Sequence, residues 1–311
     1  MERKRVLITG AAGFIGSRLV HRLLQQGFRC MGLDNLSSGC SPPFSHEGLE
    51  FKKQDICDPA GVNAAFRQFL PAIVVHLAAI HHIPTCERNA PRALEVNVVG
   101  CQVVLEAAEK AECQRFILAS SGGVYDWKEG PLTEETPVRA TDIYTLSKIT
   151  NEQQVALWSA RTGIPVTVAR IFNTIGQNDP NAHLIPEVLR QMNSNGKHAI
   201  VRVGNLHTRR DFIYVEDTAA CLARMVESGR QTGVEFFNVG TGREYEVRSI
   251  IEGLGRIKGC SLELQVDPGL ARKVDRCCQL ADISKTTSTL KWQPRYSLED
   301  ALRLSVKQEN L

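Results

Sequence analysis

The 311-residue chain is 43% hydrophobic and 23% charged, with 37 basic against 34 acidic side chains and a net charge of +3. That is too apolar for a disordered chain, and it supplies one large core or two smaller ones that share a boundary. The near-balanced charge, without a lysine or arginine run of the kind that marks a nucleic-acid tail, excludes that class, and no apolar stretch approaches the ~18 residues of a membrane span.

The opening MERKRVLITG enters a strand-like run at once, without the apolar region and small-residue cleavage site of a signal peptide. The 10 cysteines are scattered, and the one close pair, Cys277 and Cys278, has a spacing that suits neither a zinc clamp nor a disulfide framework. The expectation is a reduced, cytoplasmic enzyme or binding protein.

In chain order, RVLITG, RCMGLDN, LEFKKQD, AIVVHLAA, RFILASS and PVTVARIFN predict buried strands bounded by glycine, proline or polar turns. Amphipathic stretches such as FIGSRLVHRLLQQG, apolar at every third or fourth position, predict the helices between them. This alternation predicts an α/β fold, a Rossmann-type doubly wound parallel sheet with helices on both faces. After Asn173 the pattern loosens. NAHLIPEVLRQM, VRSIIEGLGRIKG and SLEDALRLSVKQ read as helices, and DFIYV and EFFNVG as strands. With no repeat, low-complexity tract or long linker, the expected division is interleaved. Residues 1–172 plus about 211–240 form the cofactor domain, and 173–210 plus about 241–311 form a smaller α/β substrate-binding domain.

The segment VLITGAAGFIG sets Gly10, Gly13 and Gly16 at a strand-to-helix junction, with Phe14 and Ile15 opening the helix. Glycine there permits a tight turn, close backbone approach to a pyrophosphate and close helix-to-strand packing, and the helix N-terminus favours the anion. Asp34 ends the second predicted strand about twenty residues on, where the dinucleotide fingerprint needs an acid. It can accept from the adenosine ribose hydroxyls and would repel a 2′-phosphate. Asn35 and the rest of DNLSSG offer no arginine to offset that repulsion, so NAD is expected over NADP. Asp55 and Ile56, ending the third strand, would lie near the adenine, and a solvated loop acid is the bland alternative.

Further on, Tyr144 and Lys148 stand four apart in DIYTLSKIT, on one face of a helix. A free phenol ionises near pH ~10, so Tyr144 needs help to act as a base. Beside an oxidised nicotinamide it would have two cationic neighbours. At ~5 Å and an effective dielectric of ~20, each favours phenolate by about 3 kcal/mol, or roughly two pK units. Ser121 ends the fifth strand, at the carboxyl edge of the sheet, where its hydroxyl can bridge substrate and phenol.

The motifs GAAGFIG, LDNLSSG, HLAA, NVVG, SSGGVY, YTLSK, RIFNTIG, RRDFIYVEDTA, FNVGTG and LADISKTTSTLKWQP, in this order across almost the whole chain, resemble the extended short-chain dehydrogenase/reductase family, in particular its nucleotide-sugar epimerases and dehydratases. The resemblance implies a catalytic Ser121, Tyr144 and Lys148, with Lys148 also on the nicotinamide ribose. It implies NAD contacts from Leu77, Ala78, Ala79 and Asn97, a diphosphate grip by Asn173, Arg210 and Arg272, and a homodimer. Arginine suits that grip because its planar fork can pair two phosphate oxygens. Three departures stand out. Asp126 and Trp127 follow VY where the family has glycine, Ser120 precedes Ser121 and could take its role, and Ile143 replaces a common proline.

Relatives that eliminate water carry an Asp-Glu pair after the catalytic hydroxyl residue, and here those positions are Gly122 and Gly123. The expectation is therefore an NAD-dependent 4-epimerase of a UDP-hexose or UDP-hexuronate. Alternatives are a 4-keto-6-deoxy-sugar reductase, a 4,6-dehydratase, or an NAD-binding regulatory protein without turnover. His81 and His82, and Asp179 with His183, are candidate contacts or bases, with solvated loop residues as the bland reading. No cluster has metal-ligand spacing, and no metal is expected.

Overall fold

The computed structural model describes residues 4–38, 45–180, 183–193, 197–229, 232–270 and 276–307. Its strands are β1 (Arg5–Thr9), β2 (Arg29–Asp34), β3 (Leu49–Lys53), β4 (Ile73–His76), β5 (Arg115–Ser121), β6 (Val166–Ile171) and β7 (Asn173–Ile175). Then come β8 (His198–Val203), β9 (Arg209–Tyr214), β10 (Val234–Val239), β11 (Glu244–Glu246), β12 (Ser261–Val266) and β13 (Cys278–Gln279).

All six expected strands of the first half form, and they join β10 in one sheet of order β10-β6-β5-β4-β1-β2-β3. Every pairing in it is parallel. The strand order reverses direction between β1 and β4, which opens a crevice at their carboxyl ends. One face packs on helices Phe14–Gln25 and Val215–Glu227 through Leu19, Leu23, Leu222 and Met225. The other packs on Pro59–Phe69, Gly100–Lys110 and Ile143–Thr162 through Phe66, Leu105, Val155 and Trp158. Central strands buried on both faces explain their near-continuous apolar runs.

The second half builds smaller layers. β9 pairs with β7, β11 and β13, and β8 pairs with β12. Helices Leu184–Asn193, Val247–Lys258 and Leu298–Val306 share a separate core that includes Val188, Ile251 and Leu302. β9 therefore lies outside the seven-stranded sheet, although an expected boundary at residue 211 put most of it in the cofactor part. The chain returns to the large sheet with the helix that begins at Val215. Among the described residues no helix is long and apolar enough to cross a membrane.

Candidate active site

β1 ends at Thr9, and Gly10 turns the chain at φ +70°, a conformation that costs glycine little. A Cβ there would lie 2.9 Å from the Ala78 amide nitrogen, so the loop after β1 presses directly on the loop after β4. A Cβ on Gly16 would fall 2.0 Å from the Gly10 carbonyl oxygen, so only glycine lets the helix Phe14–Gln25 sit this close to the strand end. Gly13 precedes that helix with extended backbone and no side-chain cap. The first-turn amides, those of Phe14 and Ile15 included, are then what an anion would meet.

Thr9 locks the two loops together. Its Oγ1 accepts from the Leu77 and Ala78 amides at 3.2 Å each and lies 2.8 Å from His76 Nδ1. With two donors already on the oxygen, the hydroxyl proton goes to Nδ1, which requires neutral imidazole. Burial, aided by the Lys148 charge, pushes His76 down to about 3, in agreement.

Asp34 holds the edge of the crevice. Its Oδ2 accepts from Ala12 N at 3.0 Å and its Oδ1 from Leu36 N at 2.8 Å, and a carboxylate still has lone pairs for ribose hydroxyls. Asn35 donates to Asp55 Oδ2 at 3.1 Å, and Arg92 pairs with the same oxygen at 3.2 Å. Although burial works against it, the Cys57 amide, Asn35 and Arg92 hold the Asp55 carboxyl below its ordinary value. Ile56 is buried against Gly100, where a Cβ would come 2.7 Å from its Cδ1. Asn97 sits in a short π-helical turn, Glu95–Val99. Its amide bonds both backbone groups of Ile80 and the Ser147 hydroxyl at 2.8–2.9 Å, fixing the loop that continues from Ala79 against the helix Ile143–Thr162.

The three residues expected to do chemistry converge at the carboxyl end of β5. Ser121 Oγ accepts from Gly123 N at 3.0 Å and lies close enough to Tyr144 to favour its ionised form. Lys148 is buried, donates to the Ala119 carbonyl at 2.9 Å, and its Nζ lies 5.8 Å from the centre of the Tyr144 ring. Ser120, the alternative hydroxyl, is taken up deeper along the same helix, where it donates to buried Glu152 at 2.6 Å.

Against the expected attraction of Tyr144 to cationic neighbours stands the cost of desolvation. Burial pushes the phenol up to about 12, and Ser121 offsets only part of that. Burial also brings Lys148 down to about 8, against the pull of Cys101, Cys86 and Glu152. Desolvation outweighs attraction here, Lys148 being buried and Tyr144 partly so.

These features have counterparts among known proteins. A model of the NAD dependent epimerase/dehydratase family matches residues 6–240. The chain belongs to that family. It is an NAD-dependent enzyme of the extended short-chain dehydrogenase/reductase type. It is 30% identical to a UDP-glucose 4-epimerase of Mycolicibacterium smegmatis, over 97% of each chain. Its fold is similar to that of the Thermus thermophilus UDP-glucose 4-epimerase in complex with NAD, at TM-score 0.88 and 27% identity over 97% of this chain and 98% of that one. The Thermotoga maritima UDP-glucose 4-epimerase with UDP-glucose gives TM-score 0.88 and 30% identity over 97% of each chain. The glycine loop, the uncapped helix and Asp34 suit the family's cofactor.

The substrate-side candidates of this family member lie around β7, β9 and β13. Asn173 Nδ2 donates to the Asp211 carbonyl at 3.0 Å, and Arg210 Nη1 donates to the Arg276 and Arg209 carbonyls at 2.8 and 2.9 Å. Arg272 lies outside the described residues. The Asp126 side chain accepts from Trp127 N at 2.8 Å, tightening the departed loop. Ile143 N donates to Glu87 Oε1, a bond that proline could not make.

Sequence reading missed two groupings. Buried Asp211 accepts from Thr241 and Gly242 at 2.6–2.9 Å and so fixes the loop after β10 beside Asn173. The rings of His81 and His82 come within 5.5 and 5.7 Å of His183, whose Nδ1 is 2.7 Å from Asp179 Oδ2. The four residues expected as separate contacts or solvated loop residues stand in one cluster, with His81 still exposed. Only a contact between segments a hundred residues apart brings it together, and no local pattern signals that. Among the described residues no group of three or more His, Cys, Asp or Glu side chains could hold a metal ion.

Proposed function

We propose that the chain is a nucleotide-sugar 4-epimerase acting on a UDP-hexose or UDP-hexuronate. The observation that carries this reading is the convergence of Ser121, Tyr144 and Lys148 at the end of β5, with glycines at 122 and 123 where an eliminating enzyme needs carboxylates. A Cβ on Gly122 would stand 2.9 Å from the Phe172 ring, which leaves no room for an acid there. The amides of Phe14 and Ile15 would hold the cofactor pyrophosphate, Asp34 the adenosine ribose, the Asp55–Ile56 edge the adenine, and the Leu77–Ala79 loop with Lys148 the nicotinamide end.

When bound, NAD supplies the hydride acceptor and donor at sugar C4, and its oxidised ring brings positive charge to the phenol. Tyr144 exchanges a proton with the C4 oxygen, removing it as the 4-keto sugar forms and returning it after the sugar has turned over. Ser121 holds its hydroxyl between that oxygen and the phenol. Lys148, anchored on Ala119, keeps the ribose side of the crevice fixed. Asn173, Arg210 and Arg272 would hold the diphosphate, leaving the sugar free to rotate. Because the proton lent to Tyr144 returns to the sugar, the protein needs no further acid or base to reset itself.

Leu146 and Leu157 are exposed on one face of the helix Ile143–Thr162, Val99 is exposed where the neighbouring helix Gly100–Lys110 begins, and these apolar side chains support a second copy as partner. The decisive assay incubates the purified protein with UDP-, GDP-, dTDP- and CDP-sugars and follows product stereochemistry by NMR. Inversion at C4 without added cofactor supports the epimerase. Net consumption of reduced nicotinamide would replace it with a ketoreductase.

A further inference from the structure

Cys277 and Cys278 are adjacent across a trans peptide, yet their sulfurs lie 3.6 Å apart. Cys277 is exposed, Cys278 half-buried, and the Trp127 indole donates to Cys277 Sγ at 3.2 Å. An atom bonded to both sulfurs at ~2.3 Å would subtend roughly 100°, near the angle that a tetrahedral or pyramidal centre prefers. A disulfide would instead draw the sulfurs to ~2.05 Å on Cα atoms only ~3.8 Å apart, below the range disulfides usually span. The pair is thus set for a bridge of one atom. Beside it opens a cavity of about 370 Å³ lined by Trp127, Thr141, Arg139 and Arg276 among others, with room for a group carried on that atom.

The same segment supports the substrate side. The Arg276 carbonyl accepts from Arg210 and the Cys277 carbonyl from Arg209 N, both at 2.8 Å, while Gln279 Oε1 accepts from Asn173 at 3.5 Å. β13 is paired through Cys278 with Arg209 and through Gln279 with Arg210. These bonds connect the thiol segment to Arg210 and Asn173.

We propose that Cys277 and Cys278 form a dithiol site for a single thiophilic atom, a monosubstituted trivalent arsenical being its simplest occupant, and that filling it weakens nucleotide-sugar binding. The second half rests on the diphosphate role proposed above for Arg210 and Asn173. In the binding step two As–S bonds replace two As–O bonds of the hydrated arsenical. Each thiol proton leaves with one hydroxyl as water, and arsenic stays trivalent.

The test treats the full chain with phenylarsine oxide. Intact mass should show one adduct that survives a monothiol, is removed by a dithiol, and is missing from both Cys277→Ser and Cys278→Ser. In the adduct, KM for the nucleotide sugar should rise about tenfold, the scale of losing one charge-assisted contact, with kcat and NAD affinity little changed. An adduct that persists in both serine variants, or that a monothiol strips, overturns the site. An adduct with unchanged KM overturns its link to Arg210. If no sugar is turned over at all, the proposed function fails while the mass measurements still decide the dithiol.

Discussion

Arg170 and Glu152 meet as a two-pronged ion pair in the interior, Nε on Oε1 at 3.0 Å and Nη2 on Oε2 at 2.7 Å, with side chains 6% and 4% exposed. Ser120 donates to the same carboxylate, and the guanidinium lies 4.7 and 4.6 Å from the Tyr125 and Phe236 ring centres. The pair joins the helix Ile143–Thr162 to β6, one residue from Ser121. Losing one partner leaves the other charge enclosed, so Glu152→Ala should cost about 3–5 kcal/mol. Urea unfolding should show a lower midpoint at similar slope, and Glu152→Leu combined with Arg170→Met should recover much of it. An unchanged midpoint in Glu152→Ala would show that the pair holds nothing together.

Gly16 makes a sharper demand than any other residue of the loop. Because its Cβ would fall 2.0 Å from backbone oxygen, Gly16→Ala must lift the helix from β1. The expected loss is at least about 1–3 kcal/mol, with NAD affinity falling alongside. Gly163→Ala is the control. There φ is +72° with nothing within 4 Å, so the penalty is backbone strain of roughly 1 kcal/mol and NAD binding stays intact. Equal NAD titrations for the two variants would contradict the close-packing argument.

Much of this was legible in the sequence for identifiable reasons. The strands of the large sheet are buried on both faces and read as unbroken apolar runs, and the glycine loop and Asp34 announce themselves by spacing. The helix Ile143–Thr162 buries Thr145, Ser147, Lys148, Asn151 and Glu152, so its inner face is polar, which marks chemistry rather than packing. β8 alternates strictly in burial, but Ile200 on its exposed side blurs that period in the sequence, while β7, β11 and β13 are too short to have one. The choice between Ser120 and Ser121 turns on which hydroxyl Glu152 takes up, and β9 on which sheet it joins. Both depend on distant pairings. The Tyr144 expectation counted attraction and left out desolvation, which only the enclosed geometry reveals.

Lys148 gives a pH signature. Its folded value of about 8 lies below the ordinary 10.5, so the unfolded chain binds more protons between those limits and stability rises with pH across them. At ~1.4 kcal/mol per pH unit, that gap is worth about 3 kcal/mol. Relative to Lys148→Met, which has no such group, the wild type should gain roughly that much between pH 8 and 10.5 and keep a constant difference below pH 8. Paired urea titrations check this, and a flat difference across the window would mean that the ammonium is better solvated than its burial implies.

Leu157 tests the proposed partner. It is 73% exposed and stands eleven residues, about three turns, from Leu146 on the same face. Placing a charge at the centre of a buried patch usually costs a dimer more than tenfold in affinity. Leu157→Arg should therefore shift the mass in light scattering from two chains to one with the fold intact by circular dichroism. A wild type that already runs as one chain would remove the surface from consideration.

Tyr144 carries the proposed proton. Replacing it by phenylalanine removes one oxygen, keeps the ring beneath Lys148 Nζ, and leaves the glycine loop and Asp34 untouched. NAD should therefore stay bound with near wild-type affinity. Acid–base catalysis by a positioned side chain is worth ~10²–10⁴ in rate, so epimerisation should fall by that factor or more, and in kcat rather than KM. Ser121→Ala, which removes a bridge but not the proton carrier, should lose less. Within-tenfold activity for Tyr144→Phe, measured with saturating sugar and confirmed cofactor content, would move the proton to another group, and the Asp179–His183 pair would be the next to mutate.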